Sequence, residues 1–184
     1  MKKILIILLA LLLPASLMAT PLIQVGGTAF YNNTVTSEDF TDGLTDFSNF
    51  GLGAEVRLNL FDWVSIAVPA TIGFGDVMTY GTQPSINLNL PVAGFFDLAL
   101  GVGTKLDFAH QSGTWLVNGT PIDNFGDAFA NANMTYRAAA TFNLGFLGIG
   151  LAATIPTDGT FSDFDASPNW EETTVSASVL FNLF

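Results

Sequence analysis

The sequence contains no cysteine, a single histidine and only five lysine or arginine residues. Without a thiol, the chain has neither a disulfide framework nor a cysteine that could carry a lipid, and one histidine is too few for a structural zinc site. The five cations stand against 16 acidic residues, which excludes a nucleic-acid partner because such a partner requires a basic footprint. Strings such as Gly101-Val102-Gly103 do not extend to a dinucleotide or phosphate loop, so we expect no cofactor.

Charge of either sign is scarce, since only 11% of the residues are charged whereas 49% are hydrophobic. A soluble secreted protein of this composition would be difficult to keep dispersed in water. A protein whose exterior faces lipid has no such difficulty. The composition therefore favours a membrane environment over an aqueous one.

A continuous apolar run long enough for a transmembrane helix is also lacking at the start of the chain. Ten apolar residues, 4–13, follow Met1-Lys2-Lys3 and precede a small-residue site that ends at Ala19. This run is far short of the roughly 20 residues that a spanning helix needs, and the pattern is typical of a secretory signal peptide. We predict a signal peptide over residues 1–19 and a single domain over residues 20–184.

Alternation of two residue classes is the strongest pattern present, and it runs through residues 50–74. Every even position from Phe50 to Leu60 and from Val64 to Phe74 is apolar, whereas the odd positions, apart from Pro69, are small or polar. Strict alternation indicates β-strands, because successive side chains point to opposite faces. Residues 61–63 between the two arms predict a tight hairpin.

The same alternation recurs along the rest of the chain and predicts eight strands. Three connections between them are two to five residues long, four are roughly nine to eighteen, and short and long connections alternate. Pro69 and Pro91 fall inside strands, where we expect a bulge or a strand end because proline cannot donate to the ladder. The predicted strands cover residues 22–31, 50–60, 64–74, 86–92, 97–108, 130–143, 147–155 and 175–183.

The charged residues of these strands lie on the polar face. They include all three cations that remain after the signal peptide, Arg57, Lys105 and Arg137. A soluble lipocalin-like barrel would carry more cations and needs no aromatic residues at both strand ends. We therefore predict an all-β fold, an eight-stranded antiparallel up-and-down transmembrane β-barrel with its apolar face towards lipid. The aromatic residues gather at the short turns (Phe61, Trp63, Phe95, Phe96, Phe146, Phe184) and at the long loops (Tyr31, Phe50, Phe74, Phe108, Trp170).

With this pattern the chain resembles the small eight-stranded outer-membrane proteins of the OmpA, OmpX and OmpW type. The resemblance implies a location in the cell outer membrane, with short periplasmic turns and long acidic extracellular loops. It implies surface binding or outer-membrane integrity without catalysis, with outer-membrane lipids, lipopolysaccharide and an extracellular or host ligand as partners. An OmpW-like narrow conduit for small or hydrophobic solutes is the alternative. Phe184 resembles the C-terminal aromatic residue by which the barrel-assembly machinery recognises such proteins.

The charged residues of the polar face are the first candidate site. An eight-stranded barrel has an interior just wide enough for its side chains, so these residues predict a core plugged by ion pairs. The alternative is a narrow polar path, because the many inward glycines leave volume unfilled. This predicted lumen network consists of Glu55, Arg57, Asp97, Lys105, Asp107 and Arg137.

Aspartates in two of the long loops are the second candidate site. Pairing of the first and last strands would bring these loops together, and carboxylate oxygens are hard ligands that suit a divalent cation. Such a cation could bridge to lipopolysaccharide or a host surface. Ordinary Asp-Gly turn chemistry is the alternative interpretation, so no metal is firmly predicted. The candidate ligands are Asp42, Asp46, Asp158, Asp163 and Asp165.

The third candidate is the pair His110 and Ser112 at the outer end of the fifth predicted strand. This pair is similar to that of outer-membrane lipid A deacylases, in which a serine attacks an acyl ester and a carboxylate orients the histidine. Asp123 and Asp127 follow in the loop rather than on a neighbouring strand. We expect the chain not to be an enzyme and keep the deacylase as a remote alternative.

Overall fold

The computed structural model describes residues 21–32, 43–74 and 78–183. The predicted signal peptide, the candidate ligand Asp42 and the terminal Phe184 lie outside the described residues. Within these three ranges, none of the helices has the length and hydrophobicity needed to cross a membrane.

Eleven strands, one α-helix and two short 3-10 helices make up the described part of the chain. The helix α1 covers Phe125–Ala130, and the 3-10 helices cover Phe47–Asn49 and Trp170–Glu172. The strands are β1 (Ile23–Tyr31), β2 (Phe50–Phe61), β3 (Val64–Gly73), β4 (Thr79–Thr82), β5 (Ser85–Ala93), β6 (Phe96–Gln111), β7 (Thr114–Val117), β8 (Thr120–Pro121), β9 (Asn133–Leu144), β10 (Leu147–Thr160) and β11 (Thr174–Leu183).

The strand pairs are antiparallel, and their order closes on itself. β1 pairs with β2 on one side and with β11 on the other. From β2 the pairing continues through β3, β4 and β5, then β6, β9 and β10 to β11. β4 and β5 each pair with β3 on one side and with β6 on the other. Counted together as one strand position, they make a ring of eight positions. The prediction of an all-β antiparallel fold is confirmed.

Burial follows the alternation of the sequence and shows which face points inward. On β2, Glu55 and Arg57 are buried inside the ring, whereas Leu52, Val56 and Leu58 are exposed on its outside. This is the reverse of a soluble sheet, whose apolar face packs into a core. The exposed apolar face continues around the ring with Ile86, Leu88, Leu100, Val102, Phe142, Leu151, Val179 and Phe181.

The two strand prolines behave differently. β3 continues through Pro69 without a register shift against β2, so the bulge or strand end expected there is wrong. On its other side β3 changes partner from β5 to β4, and the carbonyl oxygen of Pro69 accepts from the backbone N–H of Gln83. The missing N–H of Pro69 therefore faces the break between β4 and β5, where the ladder is interrupted anyway. Pro91 borders a register shift near the end of β5, as predicted.

Two predicted loops contain regular structure instead. β4 lies between the predicted strands 64–74 and 86–92. The segment between the predicted strands 97–108 and 130–143 holds the end of β6, both short strands β7 and β8, and the start of α1. We call residues 112–132, which contain β7, β8 and α1, the β7–β8 excursion. Its turns carry positive φ at Ser112 (53°) and Asn118 (48°), each followed by a glycine. Such turns match the twist of a two-stranded hairpin. The strand predicted to begin at residue 130 begins at Asn133, because α1 precedes it.

The excursion packs a small apolar core of its own against the outside of β6. Leu106, Val117, Ala128 and Ala132 are buried together, and Phe108 and Ile122 pack against them. The helix α1 begins with a capping box formed by Asn124 and Asp127, which fixes its position over this core. The loop end of the ring is therefore folded rather than irregular at this point.

Aromatic residues mark the two ends of the ring unequally. At the end with the short turns, Phe61, Trp63 and Phe146 are exposed, and the rings of Phe61 and Trp63 stack with centroids 5.8 Å apart. At the loop end, the prediction of a lipid-facing aromatic is wrong for Tyr31, which is buried beside Phe50 with centroids 5.1 Å apart. The short turns thus carry the clearer aromatic belt.

Candidate functional site

A buried ionic cluster crosses the interior of the ring. The Oε1 atom of Glu55 on β2 accepts from Nη2 of Arg57 at 3.0 Å and from Nη2 of Arg137 on β9 at 2.9 Å. Its Oε2 atom accepts from the Ser178 hydroxyl on β11 at 2.6 Å, and Arg57 Nη1 donates to Thr141 Oγ1 at 2.7 Å. Because β2 and β9 stand opposite each other in the order of strands, the Glu55–Arg137 bond joins facing walls.

A second polar layer lies towards the short turns. Asn143 donates to Asp97 at 2.7 Å, and Gln24 donates to Asn143 at 3.1 Å and to Asn182 at 2.7 Å. These amides come from β1, β9 and β11, so this layer also connects several walls. Buried polar groups that are paired in this way avoid the cost of desolvation without a partner.

The space between the two layers is very small. A cavity of about 10 Å³ lies beside Arg57 and Asp97 and is lined also by Gln24, Asn59, Asn89, Ala99 and Thr141. A volume of about this size holds a single water molecule. Of the residues that line it, Arg57 and Asp97 carry ionisable side chains of opposite sign. At this level the described side chains fill most of the interior.

Lys105 and Asp107 form a separate pair nearer the loops, with Nζ and Oδ2 3.1 Å apart. Asn118 holds this segment: its Oδ1 accepts from the Asp107 backbone N–H at 2.9 Å. Its Nδ2 lies within 3.0 Å of the Lys105 and Asn131 carbonyl oxygens. The structure thus divides the six predicted lumen residues between the ionic cluster, the amide layer and this pair. Sequence reasoning missed Asn118, although the dipeptide Asn118-Gly119 is a known hairpin signal.

The predicted cation ligands are not gathered into one cluster within the part of the chain that the structure describes. In those residues, no group of three or more acidic or histidine side chains could hold a metal ion. Asp46 instead accepts from the hydroxyl and backbone N–H of Ser48, and these bonds lower the pKa of its carboxyl group. Asp165 accepts from the backbone N–H of Ser167, which likewise lowers its pKa. The cation site stays a prediction, and Asp42 is outside the described residues.

Residues 157–168 form a compact excursion that we call the acidic hairpin. Thr157 bridges to Pro168, the Asp158 N–H donates to the Ser167 carbonyl oxygen at 3.0 Å, and the Thr160 N–H donates to Asp163 at 2.9 Å. Two further bonds attach the hairpin to the β9 side of the ring: Ser162 Oγ donates to the Ala130 carbonyl oxygen, and the Tyr136 hydroxyl donates to that of Ala166. These bonds attach the hairpin to α1 and β9. Residues 33–42 of the first loop lie outside the described residues, so the predicted contact between the two loops stays a prediction.

His110 and Ser112 make no hydrogen bond to each other among the described residues, and the deacylase alternative stays a prediction. The ring of His110 meets that of Trp115 edge-on at 5.0 Å, and Ser112 occupies the turn between β6 and β7. The Asp127 carboxylate accepts from Asn124 and from the backbone of Asp123, as part of the helix cap. Among the described residues, these aspartates make no hydrogen bond to His110 or Ser112.

Taken together, these features define a class: a closed ring of antiparallel strands with polar side chains inside and apolar side chains outside. The solved structures include a similar one, the N-terminal β-barrel domain of OprF from Pseudomonas aeruginosa, with a TM-score of 0.51 and 8% sequence identity. The match covers 86% of this chain and 95% of that domain. At this identity the likeness concerns the fold alone. No protein-family model and no curated protein matches the chain.

Proposed function

We propose that residues 20–184 form an eight-stranded transmembrane β-barrel of the cell outer membrane, with the short turns in the periplasm and the loops outside. The observation that carries this proposal is the inversion of the two faces. Glu55 and Arg137 are 1% and 4% exposed, whereas leucine and valine side chains cover the outside. An exterior of this kind is stable in hydrocarbon and unfavourable in water. The OprF-like fold is consistent with it.

The barrel acts in surface binding or envelope integrity, without catalysis. The Glu55 cluster and the amide layer occupy its interior, which supports a role that needs no path for solutes. The loop end presents exposed acidic residues and folded excursions, which suit contact with an extracellular ligand. Outer-membrane lipids and lipopolysaccharide contact the apolar wall, and the barrel-assembly machinery recognises the C-terminal strand.

The orientation can be tested because the chain has no cysteine of its own. Asp163→Cys places one thiol on the acidic hairpin, and Asp62→Cys places a matched one in an exposed short turn. On intact cells a membrane-impermeant maleimide should label Asp163→Cys and not Asp62→Cys, and lysed cells should show both labelled. Labelling of neither variant on intact cells, or of Asp62→Cys alone, would contradict the proposal.

A narrow conduit for small or hydrophobic solutes is the second candidate. It is favoured by the inner wall of β5, where Ser85 Oγ and Asn87 Oδ1 are buried without a hydrogen-bond partner among the described residues. Buried polar atoms of this kind commonly bind water, which is the start of a hydrated path. In planar bilayers the closed barrel should be silent. Glu55→Ala/Arg137→Ala, which removes the link across the interior, serves as the open control. Steady single-channel steps from the unmodified protein would favour the conduit.

A further inference from the structure

The acidic hairpin carries two large apolar side chains that the fold does not cover. Phe161 is 56% exposed and Phe164 is 67% exposed. Phe161 turns back towards the outer wall, where it lines a depression with Pro84, Val102 and Met134, whereas Phe164 lines none of the described cavities. Aromatic residues that stand free on an ordered surface are the usual anchors of protein interfaces.

The hairpin that holds them is fixed by contacts within itself and with the ring. Gly159 permits the two arms to approach so closely that a Cβ atom there would collide with the backbone nitrogen of Asp165. The bonds from Ser162 to Ala130 and from Tyr136 to Ala166 attach the hairpin to the ring. A binding surface that is already ordered loses little conformational entropy on association.

The charge around the two phenylalanines has one sign. Asp158, Asp163 and Asp165 are exposed on the same hairpin, and Glu171 and Glu172 follow it. No lysine or arginine occurs after Arg137 in the sequence. A complementary partner must therefore supply positive charge, and like charges repel the anionic headgroups that a membrane surface would offer.

We propose that the acidic hairpin is a docking site for a basic polypeptide segment that also carries apolar side chains. The apolar groups pack on Phe164 and the exposed edge of Phe161, and lysine or arginine side chains pair with Asp158 and Asp163. This proposal rests on the proposed function, because it requires the hairpin to lie on the outer side of the membrane.

The test uses the refolded chain in nanodiscs of zwitterionic phosphatidylcholine and a short synthetic peptide of lysine and leucine. We expect the peptide to bind these nanodiscs more tightly than empty ones, and added salt to weaken binding because it screens the charges. Phe164→Ser should weaken binding about tenfold, the size typical of an aromatic anchor. Trp115→Ser, which removes a half-exposed aromatic from β7, should leave binding unchanged.

The charge is tested by a matched pair of double variants. Asp158→Asn/Asp163→Asn should weaken binding and flatten its salt dependence, whereas Glu171→Gln/Glu172→Gln, with the same change in charge, should have a much smaller effect. Equal binding to empty nanodiscs, or equal loss in both pairs, would overturn the proposal. Binding of anionic vesicles that Phe164→Ser abolishes, with no peptide binding, would assign the surface to lipid instead. If the peptide does not bind but Asp163→Cys is labelled on intact cells, the docking proposal is wrong and the proposed function stands.

Discussion

Glu55 on β2 and Arg137 on β9 are joined at 2.9 Å although their strands stand on opposite sides of the ring. The bond crosses the interior and ties two walls that share no backbone ladder. Glu55→Gln would leave two buried guanidinium groups without a counter-charge. We expect a loss of about 3 to 5 kcal/mol in the free energy of unfolding, as for other buried pairs that lose one partner. Urea titration in phospholipid vesicles, followed by tryptophan fluorescence, measures it.

A double-mutant cycle separates this bond from other effects of the substitution. Arg137→Gln alone should also destabilise the protein, and Glu55→Gln/Arg137→Gln should cost clearly less than the sum of the two single variants. Simple additivity would show that the two side chains do not interact in the membrane-embedded protein.

Asn118 is expected to control the β7–β8 excursion rather than the whole ring. Its side chain bonds to Asp107, Lys105 and Asn131, and its backbone has positive φ. Asn118→Gly preserves the backbone conformation and removes only the side-chain bonds, whereas Asn118→Ala also introduces backbone strain. We expect faster proteolysis within the excursion for both variants, more so for alanine, with the unfolding midpoint of the ring nearly unchanged. A large loss of global stability in Asn118→Gly would contradict a local role.

The pKa of Asp46 provides a pH-dependent prediction outside the ring. The bonds from the Ser48 hydroxyl and N–H stabilise the ionised carboxylate and lower its pKa in the folded state. Their contribution is therefore present above the ordinary pKa of aspartate and is lost as the pH falls through the lowered value. Ser48→Ala should raise the pKa of Asp46 because it removes the hydroxyl donor. A carboxyl-carbon NMR titration of both forms measures the change, and equal titration midpoints would show that the hydroxyl bond is not formed in solution.

The faces of the strands could be predicted from the sequence because they depend on a local rule. Alternation with a period of two places Glu55 and Arg57 on one face whatever the rest of the chain does. The contact between Glu55 and Arg137 could not be predicted in this way, because it spans 82 positions and depends on the number of strands and on register. The bonds from Ser162 and Tyr136 that attach the acidic hairpin to the ring could not be predicted for a similar reason, because they join residues about 30 positions apart.

Gly26 and Gly27 are adjacent on β1 and should respond oppositely to alanine. A Cβ atom on Gly26 would lie on the carbonyl oxygen of Val179 in β11, whereas on Gly27 the nearest atom is the carbonyl oxygen of Gly53, 3.9 Å away. The two strands approach closely on the inner face, so Gly26→Ala should destabilise the ring by about 1 to 3 kcal/mol through overpacking. Gly27→Ala should be neutral or slightly stabilising, because it restricts the unfolded chain without a clash. Urea midpoints of the two variants, compared in the same vesicles, test the register of β1 against β11. If Gly27→Ala were the more damaging change, the inner and outer faces of β1 would have to be exchanged.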